Sequence, residues 1–285
     1  MPKATVNGAE FEYEADGSGE PVLLISPGPI ADSFLPLFRE PALRGRYRLI
    51  RYHQRKADIA NGEEPMSFAQ HAADAAALID QLTDGCAHVA GHSTGAAIAL
   101  QMAVDRPDAV HTLALLEPPL VNAAASAGAF FEKVGPALAA YESGDRAGAM
   151  AAFLSGACSL EWEACQQAID RTVPGGVAQA IRDADNFFGS YLPALSAWEF
   201  GAEDAAMIRQ PVLSVAGTKS EQLFVDSNEV LRSWLTQLET CTVLDVAHLL
   251  HIERPEPVAR GLAAFFGAHP MEKRAAVDGV SRSRP

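Results

Sequence analysis

Gly91-His92-Ser93-Thr94-Gly95 constrains this chain more than any other stretch. The five residues fit G-x-S-x-G. Ahead of them runs Cys86 to Ala90, short and apolar like a buried strand; behind them runs Ala96 to Ala103, which reads as a helix. A serine on so tight a strand-to-helix turn has its hydroxyl pushed out above the sheet edge. The flanking glycines leave room where side chains would collide. A bare G-x-S-x-G is common by chance. The strand before and the helix after make Ser93 a candidate nucleophile.

The rest of the chain fits a sheet around that turn. Asn7-Gly8 between Thr5-Val6 and Glu10 to Glu14 predicts a hairpin, because Asn-Gly favours the primed turns. Val22 to Ile25 and Tyr47 to Tyr52 read as strands, the first apolar enough to be covered on both faces. Ser67 and Gln70 fit a capping box, and Phe68, Ala72, Ala75, Ile79 and Leu82 form an amphipathic stripe behind it. His111 to Glu117 is the next strand, stopped by Pro118-Pro119. Residues 120 to 209 are alanine-rich and lack strand-like runs, which predicts inserted short helices. Strand character returns at Val212 to Gly217. Asp226 and Glu229 then stand at cap spacing, with Val230, Leu231, Trp234, Leu235 and Leu238 as the stripe of the helix they open. Thr242 to Leu244 reads as the last strand and Pro255 to Phe266 as the last helix. Alternating strand and helix predict an α/β fold with a mostly parallel sheet, helices on both faces, and ligands at the carboxyl ends of the strands.

Composition excludes some functions. The 285 residues are 48% apolar, ample for one large core. A net charge of −14 argues against nucleic acid and anionic membrane surfaces as partners. No apolar run approaches the roughly 18 residues of a membrane span. The start turns polar at once, so no signal peptide is expected. Cys86, Cys158, Cys165 and Cys241 form no C-x-x-C pair and read as thiols of a reducing cytosol, without a metal.

With these elements in order, the chain resembles the α/β-hydrolase family over about residues 10 to 268. Three features carry the resemblance: the turn Gly91 to Gly95, the ending His248-Leu249-Leu250-His251-Ile252-Glu253-Arg254-Pro255-Glu256, and the order of strands, helical insert and histidine. The resemblance implies a core of residues 1–117 and 210–268 with a helical cap of residues 118–209. A tail of residues 269–285 is expected to be loose.

A serine hydroxyl needs a base. The resemblance points to His248, with His251 as competitor. The third group departs from the common pattern: the turn where many members carry an aspartate reads Gly217-Thr218-Lys219-Ser220-Glu221, and Ser220 occupies the expected place. Glu221, Asp226 and Glu117 are the carboxylates available. Some dehalogenases and lactone hydrolases of this fold have a glutamate at the strand end where Glu117 stands, and a carboxylate closing an apolar run needs a partner. The expected triad is Ser93, Glu117 and His248, with Glu221 and Asp226 kept open as the acid.

The oxyanion needs N–H donors. Thr94 supplies one. The loop Ser26-Pro27-Gly28-Pro29 departs from the family's His-Gly, and since Pro27 and Pro29 have no N–H, Gly28 is the expected second. Pro29, His92, Pro119, Leu120, Phe187, Tyr191 and Trp198 are the candidate pocket residues. His53 is expected to pack or face solvent.

These residues imply a cofactor-free cytoplasmic serine hydrolase acting on a medium-sized apolar ester or lactone, similar to mycotoxin lactone hydrolases. Carbon–carbon bond hydrolysis or a perhydrolase reaction on the same triad, and a ligand-binding receptor with little turnover, are the alternatives. A homodimer is compatible with the sequence. Dehalogenase and epoxide hydrolase action would need an aspartate where Ser93 stands.

Overall fold

Asn7 and Gly8 both take a left-handed conformation, φ 49° and 74°, and reverse the chain between β1 (Lys3–Val6) and β2 (Ala9–Asp16). This is the hairpin that Asn-Gly favours. The computed structural model describes residues 1–272. It continues the sheet with β3 (Glu20–Ile25), β4 (Tyr47–Tyr52), β5 (Ala87–His92), β6 (Val110–Leu116), β7 (Val212–Gly217) and β8 (Leu238–Val243). The strand order is β1-β2-β4-β3-β5-β6-β7-β8. The pairs β1/β2 and β2/β4 are antiparallel, and all the others are parallel.

Side chains alternate between the two faces of each strand, and here both faces are apolar. Leu23, Ile25, Val89, Leu113 and Leu115 join one core cluster, which takes in the helices Phe68–Leu82 and Thr94–Asp105. Val22, Leu24, Ala90, Ala114, Leu116, Leu213 and Val215 join the other, under the helix Pro255–Ala268. The sheet is thus the middle of three layers, and the few polar side chains buried in its central strands are paired, His88 with Thr112 and Ser214 with Asn228. Ser67 and Gln70 form the capping box expected of them. Between β6 and β7 the chain is helical, from Ala127 to Ala205, with a single π-helical turn at Phe187–Tyr191.

Three expectations are corrected. Asp226 does not open its helix, which runs Gln222–Trp234. Its carboxylate accepts the Ser126 N–H at 2.9 Å instead, so a capping side chain is spent on a tertiary contact. Leu238 begins β8 rather than closing the helix before it, because Val212↔Leu238 to Gly217↔Val243 is a continuous parallel ladder. The tail is tied down where it is described: His269 Nε2 lies 2.7 Å from Glu239, and the Met271 N–H donates to Glu20 at 2.9 Å. Residues 273–285 of that expected tail lie outside the described residues.

The turn after β5 depends on backbone contact. A Cβ on Gly95 would stand 2.2 Å from the Ile25 carbonyl oxygen, and one on Gly91 would stand 2.3 Å from the Gly95 carbonyl oxygen. Backbone atoms cannot swing aside as a side chain can. Gly95→Ala is therefore expected to lower stability by about 3 kcal/mol in urea unfolding, the upper range for overpacking. Gly128→Ala, exposed on a helix with nothing near its added methyl, is expected to raise stability by about 0.5 kcal/mol.

Candidate active site

Four chain segments deliver the site to one end of the sheet. Ser93 follows β5, Glu117 follows β6, the turn Thr218–Ser220 follows β7, and His248 follows β8. The ladder carries the first two into place: the Ser93 N–H donates to Leu116 O at 2.9 Å, and the Glu117 N–H to Val215 O at 3.2 Å. The chain then turns sharply at both. Ser93 sits at φ 54°, ψ −124°, and Glu117 at φ 49°. Residues other than glycine and asparagine rarely adopt such φ values, and strain of this kind gathers at functional sites.

Glu117 is fully buried. One carboxylate oxygen accepts the Gly217 N–H at 2.8 Å and the Ser220 hydroxyl; the other accepts His248 Nδ1–H at 2.7 Å. The Ser220 oxygen also lies 3.1 Å from Gly217 O. The serine that stands in the usual place of the aspartate is therefore a donor to the glutamate that faces it. Sequence reading left Ser220 without a role. The only pointer to it was indirect: a buried carboxylate requires several donors, and which hydroxyl supplies one is fixed only once the acceptor is placed.

The other two carboxylates face elsewhere. Glu221 pairs with Lys133 and Ser159, and Asp226 holds Ser126 N–H and Gln222. Neither touches His248. His251 has no carboxylate either: both of its ring nitrogens are buried without a hydrogen-bond partner among the described residues. Its ring packs 4.8 Å from Phe34 and 4.3 Å from His92, centroid to centroid.

With Nδ1–H given to Glu117, His248 keeps the lone pair of Nε2. The imidazole lies flat on Phe224, with centroids 3.9 Å apart and planes 10° from parallel. Its backbone carbonyl accepts His92 Nε2–H at 2.9 Å. His92 is thus a bracket under the His248 loop as well as part of the cavity wall. Burial, then the neighbouring His251 and His248, push the His92 pKa well below the ordinary histidine value.

Ser93 and His248 line one cavity of about 290 Å³. Its walls are almost wholly apolar, with Phe130, Phe131, Phe153, Phe187, Phe188 and Phe224 around the serine. The Ser93 hydroxyl makes no hydrogen bond among the described residues. Thr94 begins its helix, so its N–H has no acceptor within that helix.

Several expected residues stand elsewhere. Pro29, His92, Pro119 and Phe187 line the cavity; Leu120, Tyr191 and Trp198 do not. Leu120 is in the core, its N–H held by Ser227. Trp198 stacks on Phe200 and donates to Gln101. Tyr191 stacks on His71, donates to Gln54 at 2.6 Å and packs against Gly28. Aromatic bulk in a helical insert has two sides to face, and only packing decides which. Gly28 does not line the cavity, and its N–H donates to Thr94 Oγ1 at 2.9 Å. His53 bridges towards Asp32 at 2.9 Å, and that hydrogen bond, with Arg51 beside it, holds the Asp32 pKa down to about 2.

A sequence model of the alpha/beta hydrolase fold matches residues 21–255. The chain belongs to the alpha/beta hydrolase family. The uncharacterized hydrolase YraK of Bacillus subtilis (strain 168) is 32% identical over 121 residues, which is 41% of this chain and 44% of YraK. The match to this curated relative thus spans less than half of its length. Among solved structures, the enol-lactonase from Burkholderia xenovorans LB400 superposes with a TM-score of 0.75 at 20% identity, covering 93% of this chain and all of that one. A membrane phospholipase A, described as a bacterial virulence factor, gives a TM-score of 0.74 at 21% identity over 94% of this chain and 85% of that one. At such identities the likeness is one of fold. Among the described residues of this alpha/beta hydrolase, no helix is long and apolar enough to cross a membrane.

Two outcomes follow from the burial of these groups. Ser220→Ala removes one donor from a buried carboxylate and is expected to lower stability by about 1–3 kcal/mol, read by urea unfolding. Burial first, then His248, lowers the His251 pKa to about 3, against the ordinary 6.5. Between these values the unfolded chain binds a proton that the folded chain refuses, so stability falls as pH drops below about 6.5. His251→Phe is expected to flatten the fall between pH 6.5 and 4; an unchanged slope would contradict this account of His251.

Proposed function

We propose that this chain is a serine hydrolase that cleaves a carboxylic ester or lactone through an acyl-enzyme. The observation that carries the reading is that His248, 2.7 Å from the buried Glu117, lines the same apolar cavity as Ser93 on its strained turn. Ser93 is the nucleophile, His248 the base and Glu117 the acid. Residues 118–209 act as a cap over them.

The steps follow from these roles. Ser93 Oγ bonds to the carbonyl carbon and its proton passes to His248 Nε2. The carbonyl π pair moves onto oxygen, giving an oxyanion that Thr94 N–H faces. The oxyanion collapses, the bond to the leaving alkoxide breaks, and His248 returns the proton to that oxygen. For a lactone the alcohol stays tethered as the ring opens. A water then repeats the sequence, giving the acid and free Ser93. Glu117 holds the Nδ1–H tautomer and steadies the imidazolium that forms twice per cycle.

The phenylalanine-lined cavity selects an uncharged, apolar substrate of medium size, because it offers no ionic partner beyond the site's own groups. The enol-lactonase among the structural neighbours is in keeping with a lactone substrate.

4-Nitrophenyl butyrate should be turned over by the wild-type protein. Ser93→Ala is expected to abolish turnover and fluorophosphonate labelling together. Glu117→Gln should lower kcat by about 10⁴-fold, as neutralising the triad acid does elsewhere. A wild-type protein that takes no fluorophosphonate and turns over no ester or lactone of a broad panel would instead be a ligand-binding receptor.

A further inference from the structure

Thr94 has a second polar group beside its N–H, and its surroundings are unusual. The side-chain oxygen is buried, accepts the Gly28 N–H at 2.9 Å, and belongs to a residue that lines the cavity next to Ser93. The hydroxyl carries one proton, and among the described residues that proton has no acceptor. A buried hydroxyl with a filled lone pair and an unused proton has one thing left to do, which is to donate.

The loop opposite cannot do that work directly. Pro27 and Pro29 have no N–H, so Gly28 is the one donor in Pro27–Pro29, and it is aimed at Thr94. Gly28 borders a separate small polar cleft with Gln54 and Tyr191. It is held there. A Cβ on Gly28 would lie 2.8 Å from the Tyr191 ring. Tyr191 donates to Gln54 at 2.6 Å, and Gln54 donates to the Ser26 carbonyl at 2.6 Å. The loop is thus clamped from behind, with its single N–H fixed on Thr94 rather than on the cavity.

We propose that the Thr94 hydroxyl is itself an oxyanion donor, with the Gly28 N–H behind it as the second link of a relay. This rests on the serine-hydrolase reading above. When the tetrahedral oxyanion forms, it accepts two bonds from one residue, Thr94 N–H and Thr94 Oγ–H. No covalent bond changes at Thr94 and its proton stays on Oγ. The Gly28 N–H polarises the hydroxyl, because a donor that is itself accepting a hydrogen bond donates more strongly. In this arrangement the expected donor Gly28 acts through Thr94.

The test compares Thr94→Val, Thr94→Ser and Thr94→Ala on 4-nitrophenyl butyrate, with the rate of fluorophosphonate labelling of Ser93 as a second readout. Valine keeps the shape and the N–H but loses the hydroxyl. Its kcat is expected to fall about 10²-fold or more, the loss typical of one oxyanion donor, with KM changed by less than about threefold. Serine is expected to stay within about fivefold of wild type. Labelling should slow in Val and not in Ser. Should the valine variant fail to fold by circular dichroism, the Ala and Ser pair carries the same contrast. A valine or alanine variant as fast as wild type, or faster because Gly28 N–H is now free, would overturn the relay. A serine variant as slow as alanine would overturn it too, by assigning the effect to the methyl group. A wild-type protein that is neither labelled nor active fails earlier, at the nucleophile, and so does a Ser93→Ala variant that keeps turnover.

Discussion

The buried carboxylate of Glu117 is the constraint on which the working end of this molecule depends. A charge-bearing group with no exposed surface is tolerated only where donors surround it. Gly217 N–H, the Ser220 hydroxyl and His248 Nδ1–H are those donors; the first two come from the end of β7 and the third from the loop after β8. Meeting the needs of one side chain therefore fixes the spacing of β6, the turn after β7 and the loop after β8. It also fixes the tautomer of His248, and with it the direction of the one lone pair that a nucleophile could use. The Phe224 face and the His92 bracket then leave the imidazole little room to turn.

The same economy of donors runs through the loop after β3. Two prolines leave Gly28 as the one N–H between them, and that N–H is bound to Thr94. The helical insert takes part in this, because Tyr191 from its π-helical turn presses on Gly28 and reaches Gln54. The insert thus contributes phenylalanines to the cavity on one side and a clamp on the Pro27–Pro29 loop on the other.

Much of this was legible in the sequence, and what was missed has definite causes. The strands were found because both faces of the sheet are covered, so Val22–Ile25 and Leu113–Leu116 read as continuous apolar runs. Ser93 was found because its turn needs glycine at Gly91 and Gly95, a requirement of backbone contact that leaves a local mark. Glu117 stood out as a carboxylate closing an apolar run. Ser220 did not, because a hydroxyl has no sequence signature until its acceptor is known. Asp226 misled for a related reason: a capping residue type was used across the fold, on Ser126, and the start of its helix was set five residues too late, which hid Phe224. Tyr191 and Trp198 carry the same bulk as Phe187, and nothing in their spacing says which aromatic faces the cavity.

By itself the sequence determined the layered α/β architecture and the tight glycine-flanked turn that holds Ser93. Those features rest on local rules: strand and helix periodicity, proline and glycine geometry, and the intolerance of apolar runs for unpaired charge. The tertiary structure alone decided which carboxylate meets His248, that Ser220 donates to it, that Gly28 gives its N–H to Thr94, and which aromatics close the cavity. The three hydrogen bonds among these join residues 66, 103 and 131 positions apart. Such pairings depend on where the sheet register and the insert bring side chains together, and that information is not carried by any one segment of the chain.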